Sequence, residues 1–503
     1  MNRDLIFSSE GSGLPRQSSF AFRLIVGLGI VVRVARLGAR FPYWTDEAAV
    51  ALNLHQRDWT HLFDPLDYHQ VAPRLFLAVE KLAMQVLGEG EMALRIFPCL
   101  MGIAALLLFA RLAGELLQPR AALVAISFAA LSLPPMDLSC QAKPYSCDLL
   151  ATVFVLLFTA RAMRSATPWR TGWPLVVLLP VLMGFSFACL LVLAAVIPVG
   201  FLAVVMRRRH FTRAQRFRQV AYWSAVSLVG GAGYLVFDVP RHMNEETTAF
   251  MRQFWALAFP PHSPLALLEW VLTIRTSGLS AYPVGGVFTT VTAVFALAGF
   301  VLFLRSRPWL AVWLAGPFVT TFAAAWMQQY PFGFKVRVAQ QLAPAVWILA
   351  GSGVARAISL LQFKTNTAVA QKMATVAVCL LFVGMGVWTL VADLFWPYQA
   401  AEDAQYRQIA ASVIAEGGGG VIPTAPPTDL PLPLLWYLRA LPTFSVDALP
   451  SPLPKHLLFV GVEADSPSGF VRVESQFPGM LEKSWQIRGN KPHTQVRITL
   501  LHE

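Results

Sequence analysis

The stretch "ACLLVLAAVIPVGFLAVVMRRRHFTRAQRFR", residues 188–218, decides the fold. From 188 to 206 it carries no charge, and it has the length of roughly 18 or more apolar residues that a helix needs to cross hydrocarbon. Six arginines and no acid follow in 206–218. An apolar run closed by a basic loop is the pattern of a membrane helix ending at the cytoplasmic surface. Runs of this kind recur over most of the first 395 positions. The 503 residues are 56% hydrophobic and only 14% charged, against roughly a quarter charged in soluble proteins. Mean hydropathy is +0.55. A membrane β-barrel would show short alternating segments instead.

Ten further runs lie at 21–37, 93–117, 121–135, 145–163, 174–187, 220–237, 284–304, 309–326, 338–357 and 374–395. They predict an all-α polytopic domain of about eleven transmembrane helices over 21–396. The net charge of +12 does not call for nucleic acid, because the basic residues cluster in short loops. Three arginines in 160–170, two in 304–308 and two lysines in 363–372 fall on the same side as the 206–218 loop. By the positive-inside rule that side is cytoplasmic. Residues 1–20 then form a cytoplasmic tail, the protein is multi-pass in the cell's inner (plasma) membrane, and the C-terminus lies outside. The five cysteines are scattered without a CxxC, which indicates neither a zinc site nor a disulfide framework. On one helix Cys140 and Cys147 would be about 10 Å apart, too far for a disulfide.

On the outer side, the first loop, 38–92, is long and acidic. "DEAAVALNLHQ" (46–56) reads as a helix with acids in its first turn. "PRLFLAVEKLAMQVLG" (73–88) starts on Pro73 and stops at Gly88, the usual asymmetry of helix ends. It reads as an interfacial helix with Glu80 and Lys81 opposite its apolar side. After Pro397 the composition changes. "AAEDAQYRQIAASVIAEGGGG" (400–420) reads as a helix ended by glycines. "HLLFVGVEA" and "TQVRITLLHE" read as strands. A small extracytoplasmic α+β domain over 397–503 is expected, with no motif for chemistry.

Five groups of residues raise a chemical question. Asp46 and Glu47 follow the first apolar run directly. They serve as cap and dipole partner of the next helix, or, at a depth fixed by the interface anchors Tyr43 and Trp44, as a carboxylate able to take a proton from a hydroxyl. Lys335 and Arg337, in "QQYPFGFKVR" (328–337), are cations on the outer side, against the topological bias. They snorkel or clamp a lipid phosphate. Arg33 and Arg36 are three apart on one helix face, where insertion into the bilayer centre costs about 2.5–3.5 kcal/mol each. In "LSCQAKPYSCDLL" (138–150), Lys143, Tyr145 and Asp148 are polar within an apolar hairpin. His55, His61 and His69 have spacings that match no compact metal motif.

"YWTDEAAVALN", "DYHQVAPRLFLAVEKL", "GEGEMALRIFPCLMG", "SCQAKPYSCDLL" and "QQYPFGFKVRVAQQLAP", in this order and at these separations, resemble the polytopic GT-C class glycosyltransferases. The nearest group is the dolichyl-phosphate-mannose protein mannosyltransferases with the bacterial aminoarabinose and galacturonosyl transferases. The resemblance covers roughly residues 20–395 and is silent on the C-terminal domain. It implies a helical membrane bundle with two interfacial helices in the first outer loop. It implies a sugar donor on a polyprenyl phosphate, and transfer at the outer (periplasmic) face to a hydroxyl of a glycan, lipid or protein acceptor. By position, Asp46 matches the family's acidic loop residue, the candidate base or acceptor-positioning group, with Glu47 beside it. Lys335 stands where the family has arginine and is the candidate phosphate binder, with Arg337 and Lys143 as further candidates. His69, Arg74, Gln141, Tyr145, Tyr330 and Arg33 are assigned to the site lining. Where the family usually has Glu, this chain has Gln141. That departure leaves cofactor use open between none and a divalent cation at Asp46.

The chemistry suits these residues. Cations would stabilise charge building on the departing phosphate, a carboxylate would take the acceptor proton, and one in-line displacement would invert the anomeric carbon. No P-loop or dinucleotide fingerprint is present. The competing reading is a transporter or flippase of lipid-linked glycans, which would commonly show paired repeats. None is visible. A non-catalytic relative is the third reading, motivated by Gln141.

Overall fold

The computed structural model describes residues 20–207, 210–237, 243–274, 278–361, 368–395, 401–415, 420–423, 432–441, 456–462, 481–488 and 495–502. The helices among them are α1 (Phe20–Gly38), α2 (Thr45–Gln56), α3 (Arg74–Leu87), α4 (Ala93–Leu116), α5 (Pro119–Leu131), α6 (Leu133–Asp137), α7 (Tyr145–Arg164), α8 (Pro168–Phe185) and α9 (Ala188–Met206). They continue with α10 (Arg213–Val236), α11 (Glu245–Phe254), α12 (Pro264–Ile274), α13 (Val287–Ser306), α14 (Pro308–Trp326), α15 (Ala343–Leu361), α16 (Ala368–Phe395), α17 (Ala401–Ala415) and α18 (Leu432–Tyr437). The tail 1–19 and Lys364 of the 363–372 loop lie outside the described residues.

Each of the eleven expected spans falls on helix. Among the described residues, α4, α7, α9, α13, α14, α15 and α16 are long and apolar enough to cross a membrane, and α5 with its continuation to Cys140 makes an eighth, bent by 51°. The remaining three, α1, α8 and α10, are helices of 19, 18 and 24 residues. Arginines in α1, a polar first turn in α8 and an arginine-rich first turn in α10 lower their hydropathy. The protein is a multi-pass helical membrane protein. The 338–357 run starts later as helix than its apolar pattern suggests, because Val336–Ala339 forms a 3₁₀ turn.

The sequence analysis reads 121–135 as one span, but the chain breaks after Leu131. The cause is local. A continuous helix would carry hydrogen bonds from residues 133 and 134 back to the carbonyls of 129 and 130. Pro134 has no N–H to give, and the Leu133 N–H goes instead to the Pro283 carbonyl at 2.7 Å. The two orphaned carbonyls are taken by Arg33. Its Nη2 donates to Ala129 O and its Nη1 to Ala130 O, both at 2.9 Å. Nη1 also reaches Gly29 O and Nη2 reaches Pro135 O. Arg33 is 1% exposed, so this guanidinium lies in the bundle interior, on the negative end of the α5 dipole.

The described residues form two compact units: those of 1–38 with 71–391, and those of 39–70 with 392–503. In the first, α4, α5, α7, α8, α9, α14 and α15 supply most of one continuous apolar core. α13 and α15 approach closely through glycine: a Cβ on Gly299 would stand 1.9 Å from the Leu349 carbonyl oxygen, and one on Gly353 2.0 Å from that of Phe295. Small residues permit such contact between membrane helices.

The second unit takes α2 and the following loop away from the transmembrane domain to which the sequence analysis assigns them. Tyr43, expected as an interface anchor, is fully buried there. Its ring meets Trp436 edge-on at 5.5 Å, and its N–H donates to the Tyr437 hydroxyl. The backbone of this unit also forms β1 (Gly420–Pro423), β2 (His456–Val462), β3 (Leu481–Arg488) and β4 (Gln495–His502). They make one sheet ordered β1-β2-β4-β3, with β1 parallel to β2 and the other pairs antiparallel. Most other positions of 397–503 lie outside the described residues.

Replacing Arg33 by Met would leave the Ala129 and Ala130 carbonyls without donors in a low-dielectric interior. We expect a loss of about 3 kcal/mol, read as a lowered unfolding midpoint of the purified protein in detergent. An unchanged midpoint would show that the break does not depend on this guanidinium.

Candidate functional site

The break in α5 delivers the chain to a polar turn. α6 ends at Asp137, which forms an ion pair with the buried Arg36 guanidinium. The other Asp137 oxygen accepts from the Gln141 side-chain amide at 3.0 Å. Gln141, the departure from the family pattern, is therefore a neutral donor bound to an acid four residues earlier. The Lys143 N–H folds back to the Gln141 carbonyl at 2.7 Å, and Lys143 itself is buried. Pro144 then caps α7. A proline just before a helix has no orphan N–H to satisfy.

Tyr145 opens α7, and Asp148 sits in its first turn, buried. The Asp148 carboxylate accepts from the Ser186 hydroxyl at 2.6 Å and from the Ala188 N–H. Ser186 in turn accepts from the Cys189 N–H. Asp148 thus joins the start of α7 to the start of α9, where the helix dipole favours an anion.

The 328–337 loop belongs to the same unit. Tyr330 keeps part of its surface open, yet desolvation raises its phenol well above the ordinary value, and neighbouring Asp148 and Tyr145 add to the shift. The loop is held by the Phe332 N–H, which donates to Ala258 O at 3.0 Å, and by close backbone packing. A Cβ on Gly278 would stand 1.6 Å from Gly333 O and 2.7 Å from the Lys335 carbonyl carbon. Lys335 is exposed, its ammonium 5.3 Å from the centre of the Phe334 ring. Arg337 lies with its guanidinium 5.5 Å from the centre of the Trp255 ring. Such cation–π contacts hold a cation without neutralising it.

Arg74 is half-buried at the start of α3. On that helix Glu80 and Lys81 are buried. They are not the solvated polar face expected from the sequence; Leu82, Gln85, Val86 and Leu87 are the exposed side chains.

Asp46, Glu47 and His69 belong to the second unit. Trp44 is the N-cap of α2; its carbonyl accepts from the Glu47 and Ala48 N–H groups. Asp46 is half-buried and Glu47 fully buried in the first turn. Neither caps the helix through its side chain. Downstream, Asn53 exchanges hydrogen bonds with the Asp67 backbone. Arg57 gathers the Asp64 and Pro65 carbonyls and the Asp67 carboxylate. This bracing precedes two consecutive residues with left-handed backbone, Tyr68 (φ 60°) and His69 (φ 51°). Strain of that kind in non-glycine residues tends to gather at functional sites. His61 pairs with Asp58 at 2.8 Å, and His55 meets Trp436 edge-on. Hydrogen bonds from Thr60 and His61 hold the Asp58 carboxyl below its usual range. Among the described residues no three of His, Cys, Asp or Glu gather as metal ligands.

Within the first unit the structure therefore joins Arg36, Asp137 and Gln141 by direct contacts, and leaves Tyr330 within electrostatic reach of Asp148 and Tyr145. Arg33, expected in the lining, is occupied by backbone carbonyls. Asp137 and the Asp148–Ser186 contact escaped the sequence reading. The signal for Asp137 was its four-residue spacing from Gln141, together with Arg36 as a buried cation needing an anion. Ser186 carries no signal, because its partner is 38 residues away.

Gly278→Ala would force the 328–337 loop away from its seat. Hydrogen exchange of peptides covering 330–337 should accelerate severalfold while α15 stays protected. Unaltered exchange would mean that the loop is positioned by other contacts.

Residues 72–232 match the family described as Dolichyl-phosphate-mannose-protein mannosyltransferase. No curated protein matches the sequence. Among solved structures, the chain is similar to ArnT from Cupriavidus metallidurans bound to undecaprenyl phosphate, with a TM-score of 0.57, 14% identity, and coverage of 95% of this chain and 97% of that one. The apo state of the same protein matches with a TM-score of 0.57, 13% identity and the same coverage. The chain is thus a multi-pass membrane protein with the fold seen in ArnT.

Proposed function

We propose that this protein is a membrane glycosyltransferase that moves a sugar from a polyprenyl-phosphate donor to an acceptor hydroxyl at the outer face of the inner membrane, with inversion. The observation that carries the reading is the fold shared with ArnT over 95% of this chain, in which the Tyr330 phenol of the 328–337 loop is within electrostatic reach of Asp148 and Tyr145 at the start of α7. The two segments carry Lys143 on one and Lys335 and Arg337 on the other, and ArnT, which shares the fold, was solved with undecaprenyl phosphate. The match of 72–232 to the mannosyltransferase family supports the same class of donor.

In this reading Lys143, Lys335 and Arg337 hold the donor phosphate and stabilise the negative charge that develops on it as the anomeric bond breaks. Asp46 takes the proton of the attacking hydroxyl, with Glu47 beside it holding the first turn of α2. His69, Arg74, Tyr145, Tyr330 and Gln141 line the site. The absence of an acid at 141 does not argue for an inactive relative, because Asp137 supplies a carboxylate that Gln141 already contacts. No step here is routed through a metal. The acceptor is a glycan, a lipid or a protein.

The test is transfer in proteoliposomes from a panel of labelled polyprenyl-phosphate sugars. Asp46→Asn should lower turnover about 10²-fold or more. Lys335→Ala combined with Arg337→Ala should lower it by about 10²–10³-fold. Full transfer by Asp46→Asn would remove that carboxylate from the chemistry. Donor translocation without transfer would favour a flippase.

A further inference from the structure

Outside the region discussed above, α1 and α4 leave a groove of about 350 Å³ between them. Its floor is apolar: Val26, Gly27 and Ile30 from α1, Leu107 and Ala110 from α4. Its rim is not. Arg23 and Arg111 both line it, and both are exposed. The helices run in opposite directions here, since the groove pairs the start of α1 with the end of α4, and Gly29 further along α1 packs against Leu106. The two arginines therefore stand at the same end of the groove, while Ile30 and Leu107 mark the deeper end, about 10 Å along the α1 axis.

That end of the bundle is the arginine-rich one. Arg161 and Arg164 there engage Glu115, and Arg307 donates to the Leu116 carbonyl. These three are tied to the last turn of α4. Arg111 points from the outer side of the same helix, one turn earlier. An apolar slot that opens on two cations, on the lipid-facing surface of a membrane bundle, matches an acyl chain joined to a phosphate. The shape of the floor has an identifiable origin. Around Gly27 an added Cβ would meet nothing within 4 Å, so the missing side chain opens the slot without serving any helix contact.

We propose that this groove is a binding site for an anionic phospholipid, with the phosphate between Arg23 and Arg111 and one acyl chain along the floor at Gly27. The arginines supply charge recognition and the floor supplies burial. Basic residues at a membrane surface contribute about a fivefold gain in anionic-lipid affinity each. A zwitterionic lipid of equal chain length would gain much less.

Native mass spectrometry of the full-length protein, released from micelles doped with phosphatidylglycerol or phosphatidylethanolamine, reads the occupancy directly. Phosphatidylglycerol should be retained in preference. Arg111→Ala and Arg23→Ala should each lower its retention about fivefold. Gly27→Leu, whose Cβ meets nothing within 4 Å, puts its branch into the slot and should abolish retention of the tightest lipid in a normally folded, monodisperse sample. Arg120→Ala, another exposed arginine, should change nothing. Equal retention of both lipids, or retention indifferent to Gly27→Leu and Arg111→Ala, would overturn the site. Displacement of phosphatidylglycerol by equimolar undecaprenyl phosphate in the wild type, lost in Gly27→Leu, would overturn the phospholipid assignment in favour of a donor-lipid site.

Discussion

A broken helix inside a membrane must find donors for the carbonyls it frees, because no water is there to supply them. Here Pro134 and the diverted Leu133 N–H orphan two carbonyls at the end of α5, and one buried guanidinium, Arg33, answers both. The rest of the first unit follows from this. With α5 ended early, the chain turns, Asp137 comes to Arg36, and the 138–148 segment enters α7 with Lys143 and Tyr145 at its head. One turn of α1 thus carries both the structural cation and the cation that orients the acid. The bilayer cost of two arginines is offset by backbone and carboxylate partners, so neither needs to reach solvent.

The same economy of polar groups recurs at Asp148, which links the starts of α7 and α9 through Ser186. Buried carboxylates satisfied by helix-terminal donors make rigid junctions. This junction and the Arg36–Asp137 ion pair lie on either side of the α7 start, and the glycine seat at Gly278 fixes the 328–337 loop. A phosphate-binding surface benefits from this kind of support, since electrostatic stabilisation depends on donors that do not reorganise.

Much of this was legible in the sequence. The apolar runs located every membrane helix, and the Pro73–Gly88 pair marked both ends of α3. What was not legible depended on distant partners. Tyr43 reads as an interface aromatic until Trp436, almost the whole chain away, closes over it. Glu80 and Lys81 read as a polar face because sequence periodicity cannot show that the bundle covers that side. The break at α5 had a local signal in Ser132 and the two prolines, hidden by the continuous hydropathy around them. For the candidate site, the residue types were readable, but the grouping of Tyr330 with Tyr145 and Asp148 required the fold.

The central claim is that 138–148 and 328–337 form one face that receives a lipid phosphate. Hydrogen exchange of the full-length protein, measured with undecaprenyl phosphate and again with undecaprenol, tests it most directly. The account predicts that the phosphate lipid slows exchange in both segments together and that the alcohol does not. Protection of neither segment, or equal protection by the uncharged lipid, would contradict it.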